Sequence, residues 1–263
     1  MITRGLDLLQ RRTDRMIFLP HERIGIKINT IGGRNISTRP ETSMALADRL
    51  HRSVSPREMI IWDRSNRELK DAGYRLNTGS GLKIFGTDST GAGYEHNLFA
   101  RGQVGSLFST IQTTAVQSSI SLAILKDHGL AGITAGMKNY FGAVHNPNKY
   151  HDNNCDPFIP EVFSCSPVQN KHRLTVIDAL VVQYHRGPSY HARWAEPYGA
   201  LLFGVDPVAT DAVGHSLIEK LRAKRGLPTL AEENRPPLYL KTASGMGLGQ
   251  SELSEISLLE DEV

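Results

Sequence analysis

Short apolar runs alternate along this chain with segments whose apolar positions recur every three to four residues. Residues 24–29, 59–63, 82–85, 118–125, 174–180 and 200–204 read as strands, several of them apolar on both faces. Helical spacing covers residues 6–17, 40–51, 66–72 and 206–224. Pro40 suits a first helical position, with Thr38 as its candidate cap, and Gly73 suits a helix stop. Asp206 followed by Pro207 is the clearest helix start, and basic residues fill that helix's last turn.

Strands alternating with helices predict an α/β fold: a mostly parallel sheet with helices on both faces, Rossmann-like. The expected organisation is an N-terminal helix within 1–20, a single α/β domain over 21–250 and an acidic tail over 251–263. Ligands in such sheets sit beyond the carboxyl ends of the strands. Asp63, Asp127, His128, Asp178 and Asp206 each follow or lie near the end of an apolar run, which predicts that they share a cleft.

The densest chemistry lies in residues 125–142. His128 and Lys138 stand among small residues, and Gly129, Gly132 and Gly136 let backbone approach whatever those side chains hold. A histidine moves protons near neutral pH, and a lysine among apolar neighbours can lose its charge and act as a nucleophile. Asp178 is a candidate to orient one of them. Downstream, His145, His151 and Cys155 are ligand types for nickel, iron, copper or zinc, although their gaps match no strong zinc pattern. Asn139, Asp206 and Asp211 complete a candidate cofactor-binding set with Lys138. The glycine-rich segment 86–93 lacks the lysine of a P-loop, and Gly245, Gly247 and Gly249 lack dinucleotide spacing.

Composition narrows the classes. The chain has 263 residues, 40% hydrophobic and 22% charged, with a formal net charge of +3, which describes an ordinary globular protein. Its basic residues are dispersed, so nucleic acid is not an expected partner, while anionic small molecules are. No apolar stretch approaches the roughly 20 residues of a membrane span. Arg11 and Arg12 precede polar residues rather than an apolar run, so the expected location is cytoplasmic unless a leader was removed before Met1. Cys155 and Cys165 could pair, but they provide no framework for an iron–sulfur cluster.

An ordered set of segments resembles the domain-of-unknown-function family 362. These are residues 24–29, Trp62-Asp63-Arg64, Lys126-Asp127-His128, Ala131-Gly132-Ile133-Thr134, Met137-Lys138-Asn139, residues 175–179, Gly187-Pro188, residues 206–211 and Gly247-Leu248-Gly249. That family is sometimes fused to ferredoxin-like modules and carries no settled activity, so the resemblance implies an iron–sulfur protein as a partner. Residues 128–138 also look like a segment of lactate racemase. There a histidine serves as acid/base and a lysine carries a covalent nickel pincer nucleotide, roles the likeness implies for His128 and Lys138. Ala135 stands where that family prefers glycine, and Asn154 lies near the place of its nickel-binding histidine, so His145 or His151 would substitute.

Together these readings predict an enzyme acting on a small anionic substrate, racemase-, epimerase- or redox-like, through His128, Lys138 and Asp178. Its expected cofactor is a metal ion, nickel or iron, or a lysine-linked nucleotide. The alternative is a non-catalytic binding or electron-transfer partner of an iron–sulfur protein.

Overall fold

The computed structural model describes residues 1–13 and 16–262. Its strands in chain order are β1 (Arg23–Ile28), β2 (Glu58–Asp63), β3 (Lys83–Gly86), β4 (Phe99–Arg101), β5 (Val104–Ser106), β6 (Ser118–His128), β7 (Gly132–Thr134), β8 (His172–Gln183) and β9 (Ala195–Gly204). Its α-helices are α1 (Ile2–Thr13), α2 (Pro40–Val54), α3 (Asn66–Asp71), α4 (Phe158–Ser164), α5 (Ser166–Gln169), α6 (Pro207–Lys224) and α7 (Tyr239–Gly245).

Seven strands form one sheet in the order β3-β2-β1-β6-β8-β9, with β7 folded back on β6. The run from β3 to β8 is parallel, whereas β9 and β7 are antiparallel to their neighbours. Strand β1 is buried on both faces, as its near-continuous apolar run requires. Ile24, Ile26 and Ile28 are fully buried and face α2, and each such side chain contributes about 1.5–3 kcal/mol of apolar burial. One apolar cluster lies between this face and α1, α2 and α3; the other lies on the opposite face beneath α4, α6 and α7. The predicted α/β sandwich is therefore present.

The chain leaves β1 through α2 and builds β2 and β3 on one side, then returns to place β6 on the other side of β1. The strand order reverses between β1 and β6. A crevice opens at such a reversal, beyond the carboxyl ends of the two strands.

Several local expectations change. Helix α1 ends at Thr13, Met16 and Ile17 are not helical, and Asp14 and Arg15 lie outside the described residues. Thr38 does not cap α2: its hydroxyl donates to the Leu122 carbonyl at 2.9 Å and accepts from Asn29 N–H at 3.1 Å, tying the β1–α2 loop to β6. Ser65 caps α3, its hydroxyl accepting from Arg67 N–H. Asp206 does cap α6, accepting from Ala209 N–H at 2.8 Å. Both cysteines are buried and free, so no disulfide forms. Beyond Gln250 the acidic segment lies against α1, with Asp261 2.7 Å from Arg4. Among the described residues no helix is long and apolar enough to cross a membrane.

Candidate functional site

Strand β6 does not stop at the end of its apolar run. It continues through Lys126, Asp127 and His128 and turns back into β7, with His128 paired to Gly132. Gly132 has φ +76°, and a Cβ there would lie 2.7 Å from the Arg235 carbonyl, so this tight return needs glycine. The returning chain delivers Lys138 at the head of a 3-10 turn, Lys138–Ala143.

Lys138 is 7% exposed and has no carboxylate partner among the described residues. Its Nζ lies 3.1 Å from His151 Nε2, 3.9 Å from Cys155 Sγ and 4.2 Å from the centre of the Phe141 ring. His151 Nδ1 is 3.1 Å from the Pro147 carbonyl, which can only accept, so Nδ1 carries the hydrogen and Nε2 offers its lone pair to the amine. Burial pulls the Lys138 amine down to about 8, against an opposing pull from Cys155. Cys155 is presented by a run of left-handed residues, Asn153, Asn154 and Cys155 at φ +47°, +55° and +61°. Strain of this kind costs of order 1–3 kcal/mol per residue, most at Cys155, whose side chain gains no local hydrogen bond from it.

His128 is fixed in one tautomer. Its Nδ1 accepts from Leu130 N–H and Ala131 N–H, both at 3.2 Å, leaving the ring hydrogen on Nε2. Charging the ring would place a hydrogen against those two donors. Burial, then the charges of Lys138, His151, Lys126 and Arg235, hold its pKa far below the usual histidine value. His128 is thus a neutral N–H donor, stacked on His151 with ring centres 5.7 Å apart. The proton-shuttling part expected from the sequence meets a ring held neutral, with its one ring hydrogen on Nε2.

Lys126, 1% exposed, donates to the carbonyls of Ile31 at 2.5 Å and Ile36 at 3.3 Å. The loop after β1 closes over it: Gly32 has φ +122°, and a Cβ there would lie 3.2 Å from Lys126 Nζ. Burial lowers the amine to about 7, with Asp63 raising it and Lys138 lowering it further. Asp127 faces elsewhere. It accepts from Arg235 at 2.6 Å and Gly187 N–H at 2.7 Å, and Arg235 also reaches the His128 carbonyl at 3.3 Å. Fully buried Arg222 lies 3.6 Å from Asp127 and 2.7 Å from Glu233, completing a clamp on the end of β6.

Two further networks position Lys138. Beneath it, Lys27 Nζ pairs with Asp63 at 2.6 Å and donates to Asn139 Oδ1 at 3.2 Å and the Ile28 carbonyl at 2.7 Å. Asn139 Nδ2 donates to the Lys27 carbonyl and Ser121 Oγ, at 2.8 and 3.0 Å. Asp63 also accepts from Thr30 N–H and Oγ1 at 2.8 and 2.6 Å. From α6, Asp211 accepts from Gly136 N–H, Met137 N–H and Tyr239 OH at 2.7, 3.0 and 2.9 Å, and burial raises its carboxyl to about 7.

Of the sequence candidates, His128, Lys138, His151 and Cys155 come together. Asp178 does not: β8 runs on to Gln183 beside antiparallel β9, so this residue lies mid-strand, bonded to Thr42 Oγ1 and Leu180 N–H at 3.0 Å each. Asp206 accepts from Ala209 N–H and Gln250 N–H, following an antiparallel strand whose carboxyl end lies away from the crevice. Asn139 and Asp211 are engaged with the scaffold. His145 is exposed and packs on Tyr94 with ring centres 5.2 Å apart. Among the described residues no three His, Cys, Asp or Glu side chains could hold a metal, so the expected set of His145, His151 and Cys155 is not formed. A lysine-linked nucleotide does not fit this arrangement either, because His151, Cys155 and the Phe141 ring occupy the space around Lys138 Nζ where its ring would attach.

Lys27, Lys126, the arginines that hold Asp127, and Tyr239 were not among the candidates, and Asp127, expected in the cleft, serves that clamp instead. Lys27, a lysine between Ile26 and Ile28 in a wholly apolar strand, was the legible signal, since such a charge is buried only with a partner.

Comparison with known proteins gives two findings. The family described as "Domain of unknown function (DUF362)" matches residues 24–216. A crystal structure of a Thermotoga maritima protein superposes with a TM-score of 0.50 at 10% identity, over 85% of this chain and 59% of that one, a likeness of fold alone. The chain therefore spans somewhat under two thirds of that protein's length. No curated protein matches.

Proposed function

This chain belongs to the DUF362 family, and we propose that it is an enzyme acting on a small anionic hydroxy-acid or carbonyl substrate by proton transfer. One observation carries the reading. Lys126, the Nε2–H of His128 and Lys138 gather where the strand order reverses, and no carboxylate hydrogen-bonds to either amine among the described residues.

An anion entering such a cluster relieves the mutual repulsion of the two lysines and gains charge-assisted hydrogen bonds. The His128 Nε2–H donates to the substrate's carbonyl or hydroxyl oxygen without changing its own charge, as a neutral imidazole can. Lys138, with its amine pulled down to about 8, takes the proton, and a base tuned close to working pH accelerates such a step by about 10²–10⁴-fold. His151 Nε2 accepts from the protonated amine and stands at the half-buried rim.

Deuterium incorporation into a panel of small 2-hydroxy and 2-oxo acids in heavy water tests this by NMR. The wild-type chain should label at least one of them, and Lys138→Ala should not. No labelling by the wild type would remove the enzymatic reading. Stable association with an iron–sulfur protein in that case would favour the non-catalytic alternative.

A further inference from the structure

We infer that residues 145–157 form a lid over Lys138, closed in this structure and able to open as a local unit while the sheet stays folded. Of the three groups packed on Lys138 Nζ, Phe141 belongs to the lysine's own turn, whereas His151 and Cys155 both come from this one segment. A ligand that is to touch the amine has to displace one of them. The inference concerns access alone and does not rest on the proton-transfer reading.

The segment is fastened at its ends and held loosely between them. Val144 before it and Ile159 after it are fully buried. His145 N–H donates to the Leu107 carbonyl at 2.9 Å, and the His145 carbonyl accepts from Ser106 Oγ at 3.1 Å. Beyond His145 no strand pairs with the segment among the described residues. Lys149 Nζ and Tyr150 OH both donate to a single acceptor, the Gly105 carbonyl, at 2.8 Å each, and Asn154 Nδ2 reaches the Asn234 carbonyl only at 3.5 Å. Tyr150 and Cys155 are its buried side chains, and the rest are exposed or half-buried. Few buried groups and few ties place a segment at the low-stability end of a fold.

The closed form also carries costs that opening relieves. Asn153, Asn154 and Cys155 are left-handed in succession, a conformation each would leave once free. Asp156 Oδ1 is buried without a hydrogen-bond partner among the described residues, and water satisfies it when the segment lifts. Against these stand the Tyr150 ring, packed on Phe141 and Phe158 with ring centres 6.2 and 5.6 Å apart, and its bond to Gly105. Tyr150 is therefore the latch.

The test labels the folded full chain with N-ethylmaleimide and maps the modified peptides at Cys155 and Cys165, both buried and free. Cys155 Sγ lies 3.9 Å from Lys138 Nζ, so its modification reports an uncovered amine. Cys165, at the junction of α4 and α5, serves as the internal reference. Cys155 should react about tenfold faster than Cys165 or more, at a rate unchanged by low urea, because a local opening exposes little surface. Tyr150→Phe removes the latch bond and should speed Cys155 about fivefold. Ile26→Val weakens the sheet outside the lid; it should lower the melting temperature and leave the Cys155 rate unchanged, since closed and open forms lose equally. Equal rates at the two cysteines, a Cys155 rate that rises with Ile26→Val, or one that Tyr150→Phe does not change would overturn the inference.

Discussion

Lys138 Nζ lies 3.1 Å from His151 Nε2, and because His151 Nδ1 is turned to the Pro147 carbonyl, the nitrogen facing the amine is a lone pair. Two groups that would repel if both were charged are thereby made compatible. A neutral histidine, His128, held by two backbone N–H groups, stacks on His151 with ring centres 5.7 Å apart.

The two site lysines should make stability rise with pH. Lys126 and Lys138 titrate near 7 and 8 in the folded chain, against 10.5 when unfolded. Between those values the unfolded chain holds protons that the folded chain has released, so unfolding becomes less favourable as pH increases. Melting temperatures from pH 7 to 10.5 should therefore shift in favour of the wild type relative to Lys126→Met. A parallel pH profile for the two proteins would contradict the lowered amine.

Asp211 is expected to act through the backbone before Lys138. Asp211→Ala strands Gly136 N–H, Met137 N–H and Tyr239 OH in the interior. The cost should be about 3 kcal/mol or more in urea unfolding. The pH dependence has the opposite sign to that of the lysines. This carboxyl is raised from 3.8 to about 7, so its contribution is full below pH 3.8 and declines as pH rises through about 7. The wild type should lose more stability than the variant over that window.

The Lys27–Asp63 pair is a buried ion pair and should behave as one. Removing one partner, as in Asp63→Leu, leaves an uncompensated buried charge and should cost about 3–5 kcal/mol. The double variant Lys27→Met, Asp63→Leu should recover part of that loss. Denaturant unfolding of Asp63→Leu, Lys27→Met and the double variant gives the coupling directly, and additive losses would contradict it.

Gly136→Ala tests the close approach of the Lys138 segment to β8. A Cβ at Gly136 would lie 2.3 Å from Thr175 Cγ2. Overpacking of that kind should cost about 1–3 kcal/mol in thermal or urea unfolding. Thr175→Ser deletes the obstructing methyl, so it should rescue part of the loss, the remainder coming from Asp211 Oδ1, 2.9 Å from the same Cβ. A Gly136→Ala protein as stable as the wild type would contradict the packing.

Much of the fold was legible because its strands are wholly apolar and its helices carry clear signals, such as Asp206-Pro207 before α6. The ends of β6 and β8 were not. Lys126, Asp127 and His128 lie beyond the apolar run of residues 118–125, yet they remain extended because β7, Arg235 and the Ile31–Ile36 loop supply partners distant in sequence. Asp178 was misplaced for a related reason: β9 extends the ladder past it, and Thr42 from α2 satisfies its charge. In the site, His128 and Lys138 were both readable as candidates from their shared small-residue segment, and both meet His151. The part of Lys126 was not, because its partners are backbone carbonyls that no side-chain pattern announces. The metal set was read from residue types alone, and His145 diverges because its ring packs on Tyr94.

The proton-transfer reading requires a Lys138 amine that titrates near 8 rather than 10.5, in a site that receives anions. Carbon-13 NMR of ε-labelled lysine, with Lys138→Arg to assign the signal, measures this directly. The titration midpoint should fall near 8 and move upward when a small 2-hydroxy acid binds, since a bound carboxylate favours the charged amine. A midpoint near the ordinary 10.5, unmoved by any such acid, would contradict it.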